Sequence, residues 1–533
     1  FTFRNREEYQ FTLPENYNET KSNISYKETK IENRNIFPSV DVNLDYIKTR
    51  YNTLINSDIV IREFTLSARN KQYKAFLLFI DGMVNTNLVN DYVLKPLMMR
   101  NYANTYDGNQ DRVISEAKTN NIVVRKVKKF NILDYISECL LPENNVKQVK
   151  TFDEIVEGVN SGDCALFIDT LDLTFDIDVK GFKQRSVDAP NNEVVIKGPQ
   201  EAFVENLRTN TSLLRRIINN EKLVIENVEL GDITKTKCAI CYVENIANTD
   251  LVAEVKYRVN NLKVDSLLSS GQLEELINDG NQIGIPEVIS TERPDKTSKY
   301  ILQGRVALLL NGSPYSLIMP ATLVDFLSSP EDTNLKPYFA NFLRVLRFLS
   351  AFITLFLPGV YVAITSFHQE ILPTELLFSI LGARDTVPFP VIFEIIIMEI
   401  SFELIREAGL RVPYPIGPTI GIVGALVLGQ AAVAASIVSP ILIIIVAITG
   451  IASFAITDFS FGFHLRFFRF VFVLLGYIAG FLGISIGMFV YVSILSNVSS
   501  FGIAFTSPFD PAVSIKQNRY FILQAWKREF RAP

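Results

Sequence analysis

Residues 348–367 read FLSAFITLFLPGVYVAITSF and contain no charged side chain. About 20 apolar residues are enough for one helix to cross the hydrocarbon core of a bilayer. A second charge-free stretch, residues 416–457, is too long for one span. Ser439-Pro440 divides it, because Ser favours a helix N-cap and Pro the first helical position. The sequence therefore predicts an all-α polytopic transmembrane bundle.

Five hydrophobic helices are predicted in this bundle. They are Phe348–Phe367, Phe389–Leu404, Ile416–Val438, Ile441–Ile456 and Phe467–Leu495. Arg344 and Arg347 place the start of the first helix inside. Five spans would then put the C-terminal tail outside, although its Lys and Arg residues prefer the inside. This conflict leaves open that one segment lies in the interface or re-enters.

Charge separates the front of the chain from the back. Of 52 Lys+Arg and 57 Asp+Glu, only 12 and 10 follow residue 340. The first 340 residues mix predicted strands and helices, which indicates a water-facing α+β or α/β domain in two subdomains. The predicted division is a flexible polar arm (1–40), subdomain 1 (41–149), subdomain 2 (150–340), the transmembrane domain (341–498) and a basic tail (499–533).

Several function classes lack support in the sequence. The net charge of -5 argues against a nucleic-acid partner. Cys238 and Cys241 form a C-x-x-C, but the segment alternates as a strand does, which points the two side chains to opposite faces. We therefore predict no metal site and no cofactor. None of the common catalytic motifs occurs, so no enzyme is predicted. Residues 1–40 show no signal peptide, which favours a cytoplasmic N-terminal domain.

Carboxylates within the apolar region are the first candidate site. Glu399, Glu403 and Glu407 fall on one helical face, with Glu394 before them and Arg406 beside them. Charged groups at this depth are costly and mark ion paths, so these residues are candidates for a cation path or its gate. A solvated interfacial helix or a simple Glu403–Arg406 pair remain the alternatives. Gln430 lies within the apolar stretch 416–457 and needs a polar partner there. It is therefore predicted to face the interior of the bundle.

Small residues recur every fourth position in two of the predicted helices. Such stripes allow close backbone approach, either within one subunit or between subunits. They comprise Gly417, Gly421, Ala425 and Gly429 in one helix, and Gly476, Gly480, Gly483 and Gly487 in the last.

Two dense polar clusters occur in the N-terminal domain. By their chemistry they could bind an anion, but structural ion-pair networks are the more common outcome. The clusters are Gly198, Pro199, Arg208, Asn210, Arg215 and Arg216, and Glu292, Arg293, Pro294 and Asp295.

Long stretches of this chain resemble one known family. They include GPQEAFVENLRTNTSLLRRI from Gly198, TERPDK from Thr291, GRVALLLNGSPYSLIMP from Gly304, VSPILIIIVAITGIASFAI from Val438 and SFGIAFTSPFDP from Ser500. With REAGLRVPYPIGPTIGIVGALVLGQAA from Arg406, they resemble the A subunits of GerA-type spore germinant receptors, or their stage-five sporulation paralogue.

The resemblance implies a place, partners and a function. The place is the spore inner membrane, with the large domain on the cytoplasmic or core side. The partners are a transporter-like B subunit, a lipoprotein C subunit, membrane lipid and further copies of the chain. The function is nutrient-triggered ion release through an oligomeric cation channel. A non-conducting scaffold that relays a signal to a separate channel is the alternative.

Overall fold

The N-terminal part of the chain is built on two antiparallel sheets. The computed structural model describes residues 35–68, 71–98, 132–142, 145–181, 190, 193, 195–279, 284–411 and 429–507. In these residues the first sheet has the order β1-β2-β4-β5-β3 and the second the order β6-β7-β9-β10-β8. The first five strands are β1 (Ile59–Ala68), β2 (Lys71–Ile80), β3 (Val146–Val149), β4 (Cys164–Ile168) and β5 (Thr174–Ile177).

The first sheet and its helices form lobe 1, residues 35–181. Its α-helices are α1 (Val40–Arg50), α2 (Thr86–Leu88), α3 (Ile132–Tyr135) and α4 (Phe152–Asn160), with π-helical turns at Val89–Leu94 and Ile136–Leu140. The subdomain boundary predicted between residues 149 and 150 falls inside this sheet, because β3 pairs with β5 and β4 pairs with β2. The strand order therefore places the division between lobes after β5.

The second sheet and its helices form lobe 2, residues 195–334. Its strands are β6 (Leu223–Leu230), β7 (Thr236–Val243), β8 (Ile289–Thr291), β9 (Val306–Leu310) and β10 (Ser316–Met319). Its helices are α5 (Leu207–Ile217), α6 (Thr249–Asn260), α7 (Ser270–Ile277), α8 (Pro294–Ile301) and α9 (Leu323–Phe326), followed by the 3-10 turn Pro330–Thr333. β7 places Cys238 and Cys241 in cores on opposite faces of the sheet, as predicted.

A helical region follows lobe 2. Its helices are α10 (Pro337–Phe367), α11 (Thr374–Arg384), α12 (Val391–Arg411), α13 (Pro440–Phe454) and α14 (Phe459–Asn497). α10 begins 11 residues before the predicted Phe348. These additional residues are anchored to lobe 2, because Arg344 and Arg347 bond Asp332 at 3.1 and 2.8 Å. Most of the predicted helix Ile416–Val438 lies outside the described residues.

The last helix is a hairpin, which corrects the single span predicted for Phe467–Leu495. The backbone leaves the helical conformation at Ala479 and at Gly480, where φ is 57°. His464 Nε2 lies 3.1 Å from Tyr491 Oη. In a straight helix these residues, 27 positions apart, would be separated by roughly 40 Å. The arms 459–478 and 481–497 are therefore antiparallel, each roughly 26–30 Å long.

Both ends of the hairpin lie against lobe 2. At its start, Thr457 Oγ1 donates to the carbonyl of Phe326 at 3.1 Å. After its end, strands β11 (Ser499–Ser500) and β12 (Ile503–Ala504) form a small ladder. Ser500 Oγ donates to the carbonyl of Glu287 at 2.6 Å. The described start of the predicted basic tail, residues 499–507, is thus on the same side as the lobes.

By length and apolar composition, two helices among the described residues could cross a membrane, α10 and α14. α13 is apolar but shorter, with 15 residues. α12 contains the carboxylates that the sequence marks out. The described helices therefore do not correspond one to one with the five hydrophobic helices that the sequence predicts. The hairpin contributes two arms where one span was predicted.

Candidate functional site

A buried ion pair joins α12 to the first arm of α14. Arg469 Nη2 lies 2.8 Å from Glu399 Oε2, and each side chain is about 1% exposed. α12 supplies the carboxylate because an apolar helix packs its polar residues inward, and α14 supplies the guanidinium for the same reason. Leaving either charge alone at this depth would be strongly unfavourable, so the pair fixes the two helices against each other.

Glu403, one helical turn from Glu399, contacts three arginines. Its Oε1 lies 3.4 Å from Arg406, 3.2 Å from Arg466 and 3.5 Å from Arg469. Spacings of three and four residues place these side chains on facing helix surfaces. We call the five residues Glu399, Glu403, Arg406, Arg466 and Arg469 the charge network. It contains two carboxylates and three guanidinium groups, so the carboxylates are fully compensated.

Arg406 also ties the charge network to α13. Its Nη2 donates to Ser453 Oγ at 2.5 Å, and its guanidinium lies 4.5 Å from the centre of the Phe454 ring. Three helices, α12, α13 and α14, are therefore held by one group of charges. A change that separates α12 from α14 must break several of these contacts together.

Glu394 has a different role from the rest of the predicted carboxylate face. Its Oε2 accepts a hydrogen bond from the backbone N–H of Ser439 at 3.1 Å, and Arg384 lies 3.5 Å from its Oε1. Ser439 is the N-cap of α13 and Pro440 its first residue, as predicted. Glu394 thus places negative charge at the N-terminus of α13, where the helix dipole favours it.

The two remaining polar candidates lie at the surface of the single chain. Gln430 is exposed. Glu407 lines a groove of about 350 Å³ together with Glu403 and Arg466. The groove walls include Phe463 and Phe467, which are 59% and 61% exposed. One edge of the charge network therefore reaches an apolar, outward-facing surface.

The glycines of α14 make contacts within this chain. A Cβ on Gly476 would lie 2.5 Å from the carbonyl oxygen of Gly359 in α10, and one on Gly359 would lie 2.6 Å from that of Phe472. Gly483 and Gly487 approach Leu475 across the hairpin, and Gly480 turns it beside His368. Gly429 is loosely packed, 4.0 Å from Ile443. Gly417, Gly421 and Ala425 lie outside the described residues.

The first polar cluster of lobe 2 joins the two lobes. Arg215, 2% exposed, binds Asp58 of lobe 1 with Nε–Oδ2 2.7 Å and Nη2–Oδ1 2.9 Å. Arg208 pairs with Asp81 of lobe 1. Both arginines therefore form ion pairs between the two lobes. The remaining members act within lobe 2: Arg216 pairs with Glu201, and the side-chain amide of Asn210 bonds both backbone groups of Val204, at 2.9 and 2.6 Å.

The second cluster fastens the loop that carries Gly198 and Pro199. Arg293 forms two bonds to Asp295, at 3.0 and 2.9 Å, and donates to the carbonyl of Pro199 at 2.7 Å. Pro294 opens α8, and the carbonyl of Glu292 accepts from Phe203 N–H at 2.7 Å. Gly198, at φ 149°, passes so close to Asn334 that a Cβ would lie 2.6 Å from its Nδ2.

Sequence reasoning included Arg406 but missed the other two arginines of the charge network, Arg466 and Arg469. The rule that marks a carboxylate inside an apolar segment applies equally to a guanidinium, so Arg469 was detectable by the same signal. Which carboxylate it meets depends on the packing of α12 against α14, which no local pattern contains.

Comparisons with known proteins agree with the motifs quoted above. A sequence profile described as "Bacillus/Clostridium GerA spore germination protein" matches residues 45–533. Spore germination protein KA of Bacillus subtilis is 36% identical over 89% of this chain and 82% of its own length. Spore germination protein A1 of the same organism is 40% identical over 69% and 76%.

A solved structure also aligns with this chain. It is the N-terminal domain of the A subunit of the Bacillus megaterium spore germinant receptor GerK3, which is 29% identical, with a TM-score of 0.38, over 55% of this chain and 98% of that one. The extent of the profile match and the identity to curated relatives settle the family. This chain belongs to the GerA family of spore germination proteins.

Proposed function

We propose that this chain is the A subunit of a nutrient germinant receptor and that it spans the spore inner membrane several times. Membership of the GerA family supports the process, and the long apolar helices α10 and α14 support the membrane location. Lobes 1 and 2 then lie on the cytoplasmic or core side, together with residues 499–507. The partners are a transporter-like B subunit and a lipoprotein C subunit.

We infer further that copies of the chain assemble into a cation channel, and that the charge network holds it closed. The observation that carries this inference is the pairing of buried Glu399 and partly buried Glu403 with arginines of α14. While α12 and α14 are packed, both carboxylates are compensated and attract no cation. Moving the helices apart would expose two carboxylates one helical turn apart, which can replace part of the hydration shell of a cation. Glu394 and Gln430 are proposed to lie along the same path.

Reconstitution of the purified chain tests this proposal. Vesicles loaded with K⁺ and containing the wild-type chain, with its partner subunits where these are needed, should release K⁺ when the complex is opened. Glu399→Gln with Glu403→Gln should alter that release at equal protein level. Glu375→Gln, an exposed position on α11, is the matched control. Unchanged flux in the double variant would remove these glutamates from the ion path.

A non-conducting scaffold is the second candidate function. It is favoured by the same pairing, because three arginines compensate two carboxylates and such a network can serve structure alone. The scaffold predicts a monomer by light scattering in detergent and no flux from vesicles under any opening condition. A discrete oligomer that conducts would exclude it.

A further inference from the structure

A cavity of about 340 Å³ lies where lobe 2 meets the base of α10. One wall is α8 and the loop that contains Pro199. The other is the turn that leads into α10. Its lining includes Pro199, Lys299, Tyr300, Ser329, Pro330 and Asn334. The volume is within the range of sites for small organic ligands.

One of the three charged residues lining the cavity is uncompensated. Asp295 is held by Arg293 at 2.9 Å, and Lys296 by Glu193 at 2.6 Å. Lys299 makes no ion pair with any residue that the structure describes. The nearby guanidinium of Arg344 is committed to Asp332 and that of Arg305 to Asp325. Burial, and next the charge of Arg344, lower the pKa of Lys299 to about 8, although the charges of Asp325 and Asp332 act against this shift.

The lining around Lys299 is apolar on one side and polar on the other. Pro199, Pro330 and the ring of Tyr300 supply apolar surface. Ser329, Thr333 and Asn334 supply hydroxyl and amide groups within the opposite wall. A partly buried ammonium without an ion-pair partner is costly, and an anion that brings its own apolar body would relieve that cost.

We propose that this cavity binds a small organic carboxylate, whose carboxylate pairs with the ammonium of Lys299 and whose apolar part lies against Pro199 and Pro330. Inorganic phosphate would satisfy the charge but leave the apolar walls unfilled. The site differs from the charge network and does not depend on the proposed ion path. Because the 330–333 turn also carries Asp332, which holds Arg344 and Arg347, an occupied cavity would brace the base of α10.

Thermal unfolding of the detergent-purified full chain tests the proposal. Sodium propionate is added at constant ionic strength against NaCl, and unfolding is followed by circular dichroism. We expect a saturable rise of the midpoint. Lys299→Met should weaken binding about tenfold or more, as expected for loss of a charge-assisted hydrogen bond. Lys299→Arg should retain binding, and Lys263→Met, at an exposed lysine, should match wild type.

Measurements on the wild-type chain alone provide a second check. Affinity for propionate should fall as the pH rises above about 8, because Lys299 then loses its proton. Saturation by propionate with this pH dependence supports the site. The proposal is overturned by an absence of saturable binding, by binding of phosphate but not propionate, by equal binding in Lys299→Met, or by affinity that stays constant from pH 7 to 10.

Discussion

Arg469→Met should destabilise the helical region more than any other single change in the charge network. Arg469 is 1% exposed and contacts both Glu399 and Glu403. Its removal leaves Glu399 buried without a compensating charge. Breaking a buried pair from one side costs about 3–5 kcal/mol.

Substitution of the other partner of the pair, Glu399→Gln, should lower the free energy of unfolding by less than Arg469→Met does. Gln occupies the same volume without a charge, and Arg469 keeps Glu403 at 3.5 Å. A loss of about 1–2 kcal/mol is expected, comparable with one unmade hydrogen bond. The asymmetry between the two single variants therefore follows directly from the contacts of Arg469, which has a second partner where Glu399 has none among the described residues.

The assay is unfolding in SDS or by heat in detergent, followed by far-ultraviolet circular dichroism. The double variant Arg469→Met with Glu399→Gln buries no unpaired charge at this point, so it should be more stable than Arg469→Met alone. The exposed control Glu375→Gln should stay within about 0.5 kcal/mol of wild type. A loss under about 1 kcal/mol for Arg469→Met, or a double variant no more stable than it, would refute the reasoning.

Gly359→Ala should lower the free energy of unfolding by about 1–3 kcal/mol, because its Cβ would lie 2.6 Å from a carbonyl of α14. The control Gly382→Ala meets nothing within 4 Å and should be neutral or mildly stabilising. Equal unfolding midpoints for the two variants would contradict this. Burial raises the pKa of Glu287 to about 7. The folded chain then keeps a proton that the unfolded chain releases, so stability should fall as pH rises from about 4.5 to about 7, and Glu287→Gln should remove up to about 3 kcal/mol of that dependence in pH-resolved unfolding. An unchanged slope would count against it. In a chain whose native cysteines are replaced by alanine, Ser507→Cys should react with an impermeant maleimide on the side of the lobes, and Glu375→Cys on the other; labelling of both from one side would disprove the hairpin.

Local patterns predicted those parts of the fold that depend on neighbouring residues. The alternation around Cys238 and Cys241 predicted a strand, and the structure places the two thiols in separate cores. The dipeptide Asn311-Gly312 favours a hairpin turn, and β9 pairs with β10 across it. The division between lobes was not predictable in this way, because it depends on which strands pair over long separations. β4 pairs with β2 across more than 80 residues of chain.

Prediction of the candidate site from the sequence has the same limit, because spacing shows which residues share a face and not what lies opposite them. The spacing of Glu399 and Glu403 predicted a shared helix face, and both carboxylates do point towards α14. That spacing cannot say whether the facing surface contains water, a cation or an arginine. The answer depends on the register between α12 and α14, which the spacing within α12 does not contain. For Glu399 and Glu403 the facing groups are arginines of α14, which the predicted cation path or gate did not include.

The position of the described start of the tail depends on one residue in the last helix. Five spans would put the basic tail opposite Arg344 and Arg347, whereas positive charge favours one side for both. The reversal at Gly480 returns residues 499–507 to lobe 2. In the sequence, Gly480 belongs to the same four-residue spacing as Gly476, and that spacing predicts a packing stripe. Periodicity identifies residues that would share a face if a helix were continuous. It contains no information about continuity itself, so a glycine that packs and a glycine that turns at φ 57° are indistinguishable until their partners are known.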